Sequence, residues 1–404
     1  MRVAHIITRM IIGGAQENTL FSCQDLVREH GDTVMLISGP SRGPEGALLG
    51  ESITDEIQLQ IIPSLCRAID PWRDWRSYGA IKQQLRSFQP DVVHTHSAKA
   101  GMLGRLAAWS LRVPAIVHTV HGAPFHRYQP ALARSFFRRC EKFAASRCHK
   151  LISVADAMTD QLVGARVAPA DKFCTILSGM DVDRFARAGE LREQARRQLG
   201  YEPGDVVIGK IARLFHLKGH EELVRAATRV VQQQPRARFL LVGDGILRAA
   251  LEQQIRQADL QEYFTFTGLV PPTEIPSLIG AMDMLVHTSL REGLARALPQ
   301  ALIAGKPVVS YDVDGAREVV IPDQTGFLVP PQDIDALAAA LGTLSTDLSL
   351  REKLGGEGQR RFTEPFRHQS MTRQIREVYS QLLRQRHGPG RDDNQGLLWD
   401  SHFV

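Results

Sequence analysis

Residues 287–311 read HTSLREGLARALPQALIAGKPVVSY. Glu292-Gly293 forms a turn that carries a carboxylate, and an Ala-rich helical stretch follows it, with Gln300 eight positions beyond Glu292. Gly305-Lys306-Pro307 ends that helix, and Val308-Val309-Ser310-Tyr311 reads as a buried strand. A Gly turn entering a helix N-terminus is a natural seat for a phosphate, because free backbone N–H groups and the helix dipole both point there. Glu292 and Gln300 flank that seat as hydrogen-bonding groups for a sugar. The stretch therefore predicts an α/β fold with a sugar-nucleotide site.

The same alternation runs outward from this stretch. Short β-branched strand candidates occur at Val3–Thr8, Thr33–Ile37, Gln58–Ile62, Asp91–His94, Ala115–Thr119, Lys150–Val154 and Phe173–Ile176. A second series occupies Val206–Ala212, Arg238–Val242, Tyr263–Thr267, Met284–His287, Pro307–Tyr311 and Gly326–Leu328, with helical patterns in most gaps. Such βα repetition means parallel sheets covered by helices on both faces. At 404 residues the chain suits two domains. The charged, polar stretch 184–203, with Gly200 and Pro203, is the expected linker between an acceptor half (1–183) and a donor half (204–366). A final helix over 367–386 is expected to follow, and the Gly- and Asp-rich tail 387–404 is expected to be disordered.

Composition narrows the setting. The net charge of +5 fits anionic substrates or an anionic membrane surface and is too weak and diffuse for nucleic acid. No run of apolar residues reaches the roughly 18 needed for a span. The start, MRVAHIITRMIIGG, reads as a strand and Gly loop, without the cleavage site of a signal peptide. Five scattered cysteines form no Cys-x-x-Cys and point to a reducing cytoplasm.

Several constellations sit at predicted strand ends, where a ligand would pass. Arg213 and Lys218 follow the first strand of the second half; a guanidinium fork and an ammonium charge there would stabilise a departing diphosphate without a metal. The plainer reading is two solvated charges beside a turn. Gly243-Asp244-Gly245 and Gly268-Leu269-Val270 are strand-end turns, with Asp244 read as structural. Gly13-Gly14 opens the first helix, either as a close approach to phosphate or as a tight turn. His118 and His121 end the fifth strand, His94 and His96 share one face of the fourth, and Lys99 enters the next helix. No carboxylate or cysteine neighbour completes a metal set around His94 and His96, so an acceptor contact for His94, His96 and Lys99 is the expectation. The triplets Asp181-Val182-Asp183 and Asp312-Val313-Asp314 read as turn formers. Residues 122–150 carry Arg127, Arg134, Arg138, Arg139, Lys142, Arg147 and Lys150 against the single acid Glu141, interleaved with Phe125, Phe136, Phe137 and Phe143. This is either a basic helix for an anionic bilayer or a core helix with a charged outer face.

Taken together, the motifs resemble the family 4 retaining glycosyltransferases of the GT-B fold, over about residues 1–386. Its signature is Glu, seven residues, Glu, then a Gly-x-Pro-Val-Val strand; here Gln300 stands at the second Glu, and Ala295 replaces a common Gly. The resemblance implies two Rossmann-like domains facing a cleft and transfer of a hexose from a nucleotide-diphospho-sugar, UDP ahead of GDP, to a glycan or lipid-linked acceptor. It assigns Arg213 and Lys218 to the diphosphate, Glu292 to the donor sugar, and the amides of Gly293, Leu294 and Ala295 to phosphate. Gln300 falls to the ribose, Gly268-Leu269-Val270 to the base, and His121 to the sugar from the opposite half. Gln300 keeps an acceptor oxygen but loses the charge, which implies weaker ribose binding. The last helix is implied to cross back to the first half. No cofactor or metal is implied, and cell-surface polysaccharide or lipid-linked glycan synthesis is the implied setting. Location is then cytoplasmic, peripheral at the inner membrane face. A sugar-nucleotide 2-epimerase of the same fold and a binding protein without turnover remain as alternatives.

Overall fold

The computed structural model describes residues 1–41 and 56–387. The expectation for the tail 387–404 therefore lies outside the described residues, apart from the end of the last helix.

The described residues form two parallel sheets. The first has β1 (Arg2–Arg9), β2 (Thr33–Gly39), β3 (Ile57–Ile61), β4 (Val92–His96), β5 (Ala115–Val120), β6 (Lys150–Ser153) and β7 (Phe173–Thr175), in the order β3-β2-β1-β4-β5-β6-β7. The second has β8 (Val206–Ile211), β9 (Ala237–Val242), β10 (Phe264–Gly268), β11 (Met284–His287), β12 (Val308–Tyr311) and β13 (Gly326–Val329), in the order β10-β9-β8-β11-β12-β13. Every paired register is parallel. The strands are nearly continuous apolar runs because both faces are covered. Ile81, Leu85, Ala107 and Ala145 pack on one face of the first sheet, and Leu20, Leu26, Ile375 and Tyr379 on the other. Each sheet reverses its strand order between its first strand and a later neighbour, β1 beside β4 and β8 beside β11. In open α/β sheets ligands bind at such a reversal, beyond the carboxyl ends of the strands.

The last helix, His368–His387, leaves the second half and lies on the first. Asp25 accepts from Thr372 Oγ1 at 2.8 Å and pairs with His368 Nδ1 at 2.8 Å, while Arg376 Nε donates to Asp32 at 2.9 Å. Tyr379 is fully buried, and its hydroxyl lies 2.5 Å from His94 Nδ1. The helix thereby closes the core of the first sheet with residues from the far end of the chain.

Candidate active site

At the β8–β11 reversal the loop after β8 is clamped to the end of β11. Leu290 N donates to Leu217 O at 2.8 Å, and the Thr288 hydroxyl donates to Gly219 O. Gly219 has φ +67°, and a Cβ there would lie 2.0 Å from Thr288 O, so only glycine allows the approach. The clamp aims Lys218 at Glu292, and the ammonium donates to Glu292 Oε1. His287 Nε2 lies 3.7 Å from the same oxygen. Burial alone would raise the Glu292 carboxyl, but the neighbouring His287 imidazole and the Lys218 ammonium outweigh it and hold the group well below its usual 4.5. A depressed carboxyl stabilises the fold above its unfolded value and loses that contribution only as pH falls through the folded value, so this pair persists into strong acid. Behind it sits Lys210, fully buried, donating to Thr288 Oγ1 at 2.8 Å; burial, with the charge of Lys218, pushes it down to about 7.

The Glu292-Gly293 turn is held from the β12 side. Glu292 N donates to Asp314 Oδ2 at 2.6 Å, and Gly315 N donates to Gly293 O at 3.0 Å. The acidic triplets are thus spoken for: Asp314 anchors this turn, Asp312 pairs with Arg317 at 2.8 Å, Asp181 with Arg184 at 2.8 Å, and Asp183 with Arg367 at 2.9 Å.

The β1–β4 reversal of the first sheet carries histidines. His5, His94 and His96 are fully buried. His94 bonds Tyr379 at 2.5 Å and Thr119 Oγ1 at 2.7 Å; His5 Nδ1 lies 3.0 Å from His96 Nε2, and His96 Nδ1 lies 3.1 Å from His121 Nε2. Nitrogens of His5, His94 and His96 come within 4.8 Å of one another, a spacing a metal could use. Both His94 nitrogens are hydrogen-bonded, and His5 and His96 bond each other. Desolvation holds all of these rings well below their usual range, with His5 and His121 at about 3. The three residues expected at the acceptor are placed as follows. His94 and His96 are fully buried, and Lys99 is tied to Asp74 at 2.6 Å and to Ala68 O. His118 also turns inward, 2.9 Å from Thr95 Oγ1.

The two halves meet at this point. A Cβ on Gly293 would lie 2.9 Å from His121 O, which places the Glu292 turn against the end of β5. Arg296 Nη2 donates to Glu17 at 2.7 Å, Arg291 donates to Ala123 O, and Glu318 accepts from Asp156 N at 3.0 Å and Ala157 N at 2.9 Å. Sequence reasoning missed these three cross-cleft residues, although Arg291 and Arg296 flank the Glu292 turn. Their partners are distant in sequence; only Arg291 and Arg296 are marked by their place beside the signature, and Glu318 is not.

Residues 12–184 match the family described as Glycosyltransferase Family 4, and residues 192–361 match Glycosyl transferases group 1. The chain belongs to family 4 of the glycosyltransferases. It is 29% identical over 354 residues to UDP-Gal:alpha-D-GlcNAc-diphosphoundecaprenol alpha-1,3-galactosyltransferase of Escherichia coli, covering 86% of this chain and 88% of that protein. It is 30% identical over 285 residues to 2-deoxystreptamine N-acetyl-D-glucosaminyltransferase of Streptomyces fradiae, 66% of each chain. Anabaena Alr3699/HepE, solved in complex with UDP, superposes with a TM-score of 0.79 at 24% identity, covering 94% of this chain and all of that one. The fold is GT-B and the protein is a hexosyltransferase.

The other residues that the resemblance assigns to the donor of this glycosyltransferase lie at strand ends and helix starts of both halves. Arg213 follows β8 and lies 5.1 Å over the Phe215 ring. Gly268 ends β10 with φ +72°, its carbonyl accepting from Gly243 N at 3.1 Å, and leaves Leu269 exposed beside the partly buried Val270. Gln300 lies within the helix Ala297–Ile303, half-buried, behind Gly293, Leu294 and Ala295. Gly14 faces the other half, where the Arg296 side chain occupies the space a Gly14 Cβ would need, 2.5 Å away, whereas a Gly13 Cβ would meet Gln16 of its own helix at 2.7 Å. This opening is thus a domain contact as well as a helix start. Among the described residues no helix is long and apolar enough to cross a membrane.

Proposed function

We propose that this glycosyltransferase moves a hexose from a UDP-sugar to a hydroxyl of a glycan or lipid-linked acceptor, with retention at the anomeric carbon and without a metal. The observation that carries the proposal is the Lys218–Glu292 pair at the β8–β11 reversal, set against His121 of the opposite half. Arg213 and Lys218 hold the diphosphate and stabilise the charge that grows as the glycosidic bond breaks. Glu292, kept ionised, accepts from sugar hydroxyls. The amides of Gly293, Leu294 and Ala295 meet phosphate, Gln300 meets ribose, and Gly268, Leu269 and Val270 meet the base. Contact between the halves excludes water, so that the acceptor rather than water attacks. UDP is preferred because HepE was solved with UDP and the E. coli relative is named for UDP-Gal. Membership of the family favours transfer over the epimerase and binding-only alternatives.

A panel of nucleotides and nucleotide sugars, each with EDTA, tests this by thermal stabilisation. UDP compounds are expected to raise the midpoint; ligand at 100 times its dissociation constant adds about 2.7 kcal/mol when it binds only the folded state. No shift with any compound would remove the donor site. A shift restored only by added Mg²⁺ or Mn²⁺ would remove the metal-free part.

The acceptor reading extends to a membrane surface at the cytoplasmic face. Helix Ala131–Ala145 exposes Leu132, Phe136 and Phe143, while Phe125 and Phe137 turn to the core. Beside it lies a groove of about 450 Å³ lined by Arg139, Lys142, Arg147, Lys172 and Phe143, with no carboxylate in its lining. Cations around exposed aromatics suit an anionic bilayer. The five cysteines are free thiols, in keeping with a reducing compartment. Replacing Arg138 and Arg139 together by alanine is expected to weaken sedimentation with phosphatidylglycerol vesicles at low salt. Unchanged sedimentation would discard the membrane surface.

A further inference from the structure

His5, His96 and His121 form one unbranched chain of ring-to-ring hydrogen bonds from the interior to the cleft, through contacts of 3.0 and 3.1 Å. Its inner end, His5 Nε2, is buried without a hydrogen-bond partner. Its outer end is His121, a half-buried residue just past β5. A neutral imidazole carries one N–H and one lone pair, so each link holds one proton and the chain has two fully bonded arrangements. In one, every proton sits on Nε2 and the chain runs outside to inside; His5 Nε2–H is then an orphaned donor in a fully buried position. In the other, every proton sits on Nδ1 and the chain runs inside to outside. His5 Nε2 is then only an unused acceptor, and His121 presents Nδ1–H beyond the chain. Orphaned buried N–H groups are rarer than under-satisfied buried acceptors. Burial, which pushes these rings well below their usual range, keeps the chain neutral and excludes a third, doubly protonated state.

We infer that His5 and His96 are positioning residues that lock His121 as the Nδ1–H tautomer, so that the first half offers the donor sugar a hydrogen-bond donor of fixed sense and not a base. The functional part rests on the reading that His121 faces the sugar; the tautomer itself does not. The arrangement specifies which oxygen His121 can serve, one that accepts a hydrogen bond, and couples that choice to a side chain two rings away in the core.

Histidine-selective ¹⁵N labelling of the full chain tests the tautomers directly, because two-bond ¹H–¹⁵N spectra distinguish Nδ1–H from Nε2–H rings. The expected result is Nδ1–H for His5, His96 and His121. An Nε2–H signal from any of the three overturns the inference. Two variants test the coupling: His5→Leu removes the innermost donor, and His5→Asn returns an amide N–H near the place of Nδ1–H. In His5→Leu the His121 resonances are expected to move toward mixed tautomers, with kcat/KM for the donor found in the nucleotide panel falling about three- to tenfold, the loss of one neutral hydrogen bond. His5→Asn is expected to restore both. His121 resonances that stay put in a folded His5→Leu protein would sink the coupling. Coupled tautomers with unchanged kcat/KM would instead sink the placement of His121 at the sugar, and the two failures are thereby separable.

Discussion

Lys218→Ala is expected to lower kcat about 30- to 1000-fold, which is on the order of 2–4 kcal/mol of transition-state stabilisation. The ammonium is held by a backbone clamp at Leu217 and Gly219, and its place does not depend on the rotamer alone. Among the described residues, the side-chain partner of Lys218 is Glu292. When a diphosphate enters, the ammonium lies between two anions, and the charge that grows on the leaving group strengthens one of those attractions more in the transition state than in the ground state. The effect therefore falls mainly on kcat, with a smaller change in donor KM. Removing Lys218 also withdraws one of the influences that hold the Glu292 carboxyl low, and the Glu292 pKa rises toward its usual value. Steady-state kinetics on the variant, with its thermal midpoint measured alongside, decides the matter. Turnover equal to wild type would remove Lys218 from the diphosphate.

The second large effect is on stability. Arg105 is fully buried on the helix Ala98–Ser110; its Nη2 donates to Glu141 at 2.9 Å and its Nε to Gly101 O at 2.7 Å. Glu141, on the helix Ala131–Ala145, is itself buried, with His118 Nε2 3.9 Å from the same oxygen. Arg105→Ala leaves that carboxylate buried without its cation, and the expected loss is about 3–5 kcal/mol. Replacing the pair together, Arg105→Met with Glu141→Leu, is expected to recover most of it, because the cost comes from the stranded charge more than from the lost attraction. Urea unfolding of the single and double variants separates the two. A double variant as unstable as the single one would mean that the pair's packing, and not its charge, carries the stability.

This ion pair shows where reading the chain reaches its limit. In sequence, Glu141 is the lone acid among seven cations and looks like part of a solvated face. In the fold it is the one charge of that helix turned inward, because Arg105 arrives from the neighbouring helix to meet it. The same holds for His94 and His96. Their alternation puts both on one face of a strand, which is correct, but which face is covered depends on Tyr379 from a helix almost three hundred residues away. Lys99 enters the expected helix yet is consumed by Asp74. Arg291 and Arg296 gave no signal beyond their nearness to Glu292, and Glu318 gave none, since their partners Ala123, Glu17 and Asp156 belong to the other half.

Local chemistry was legible wherever structure and function are both short-range. The thirteen strands appear where β-branched runs stand between turn residues, shifted by a residue or two at their ends, because a buried parallel strand writes its burial into every position. The Glu292-Gly293 turn, its helix and the β12 strand were readable for the same reason, and so was the order of the glycine turns. What the tertiary structure alone decided is which of the candidate side chains share a space. Lys218 and Glu292 pair because two strands distant in sequence lie side by side at a reversal of order. His5, His96 and His121 form a chain because β1, β4 and β5 lie side by side. Periodicity fixes the face on which a residue points, whereas contact depends on which strand is its neighbour, and strand order is set by long-range packing that no local window contains.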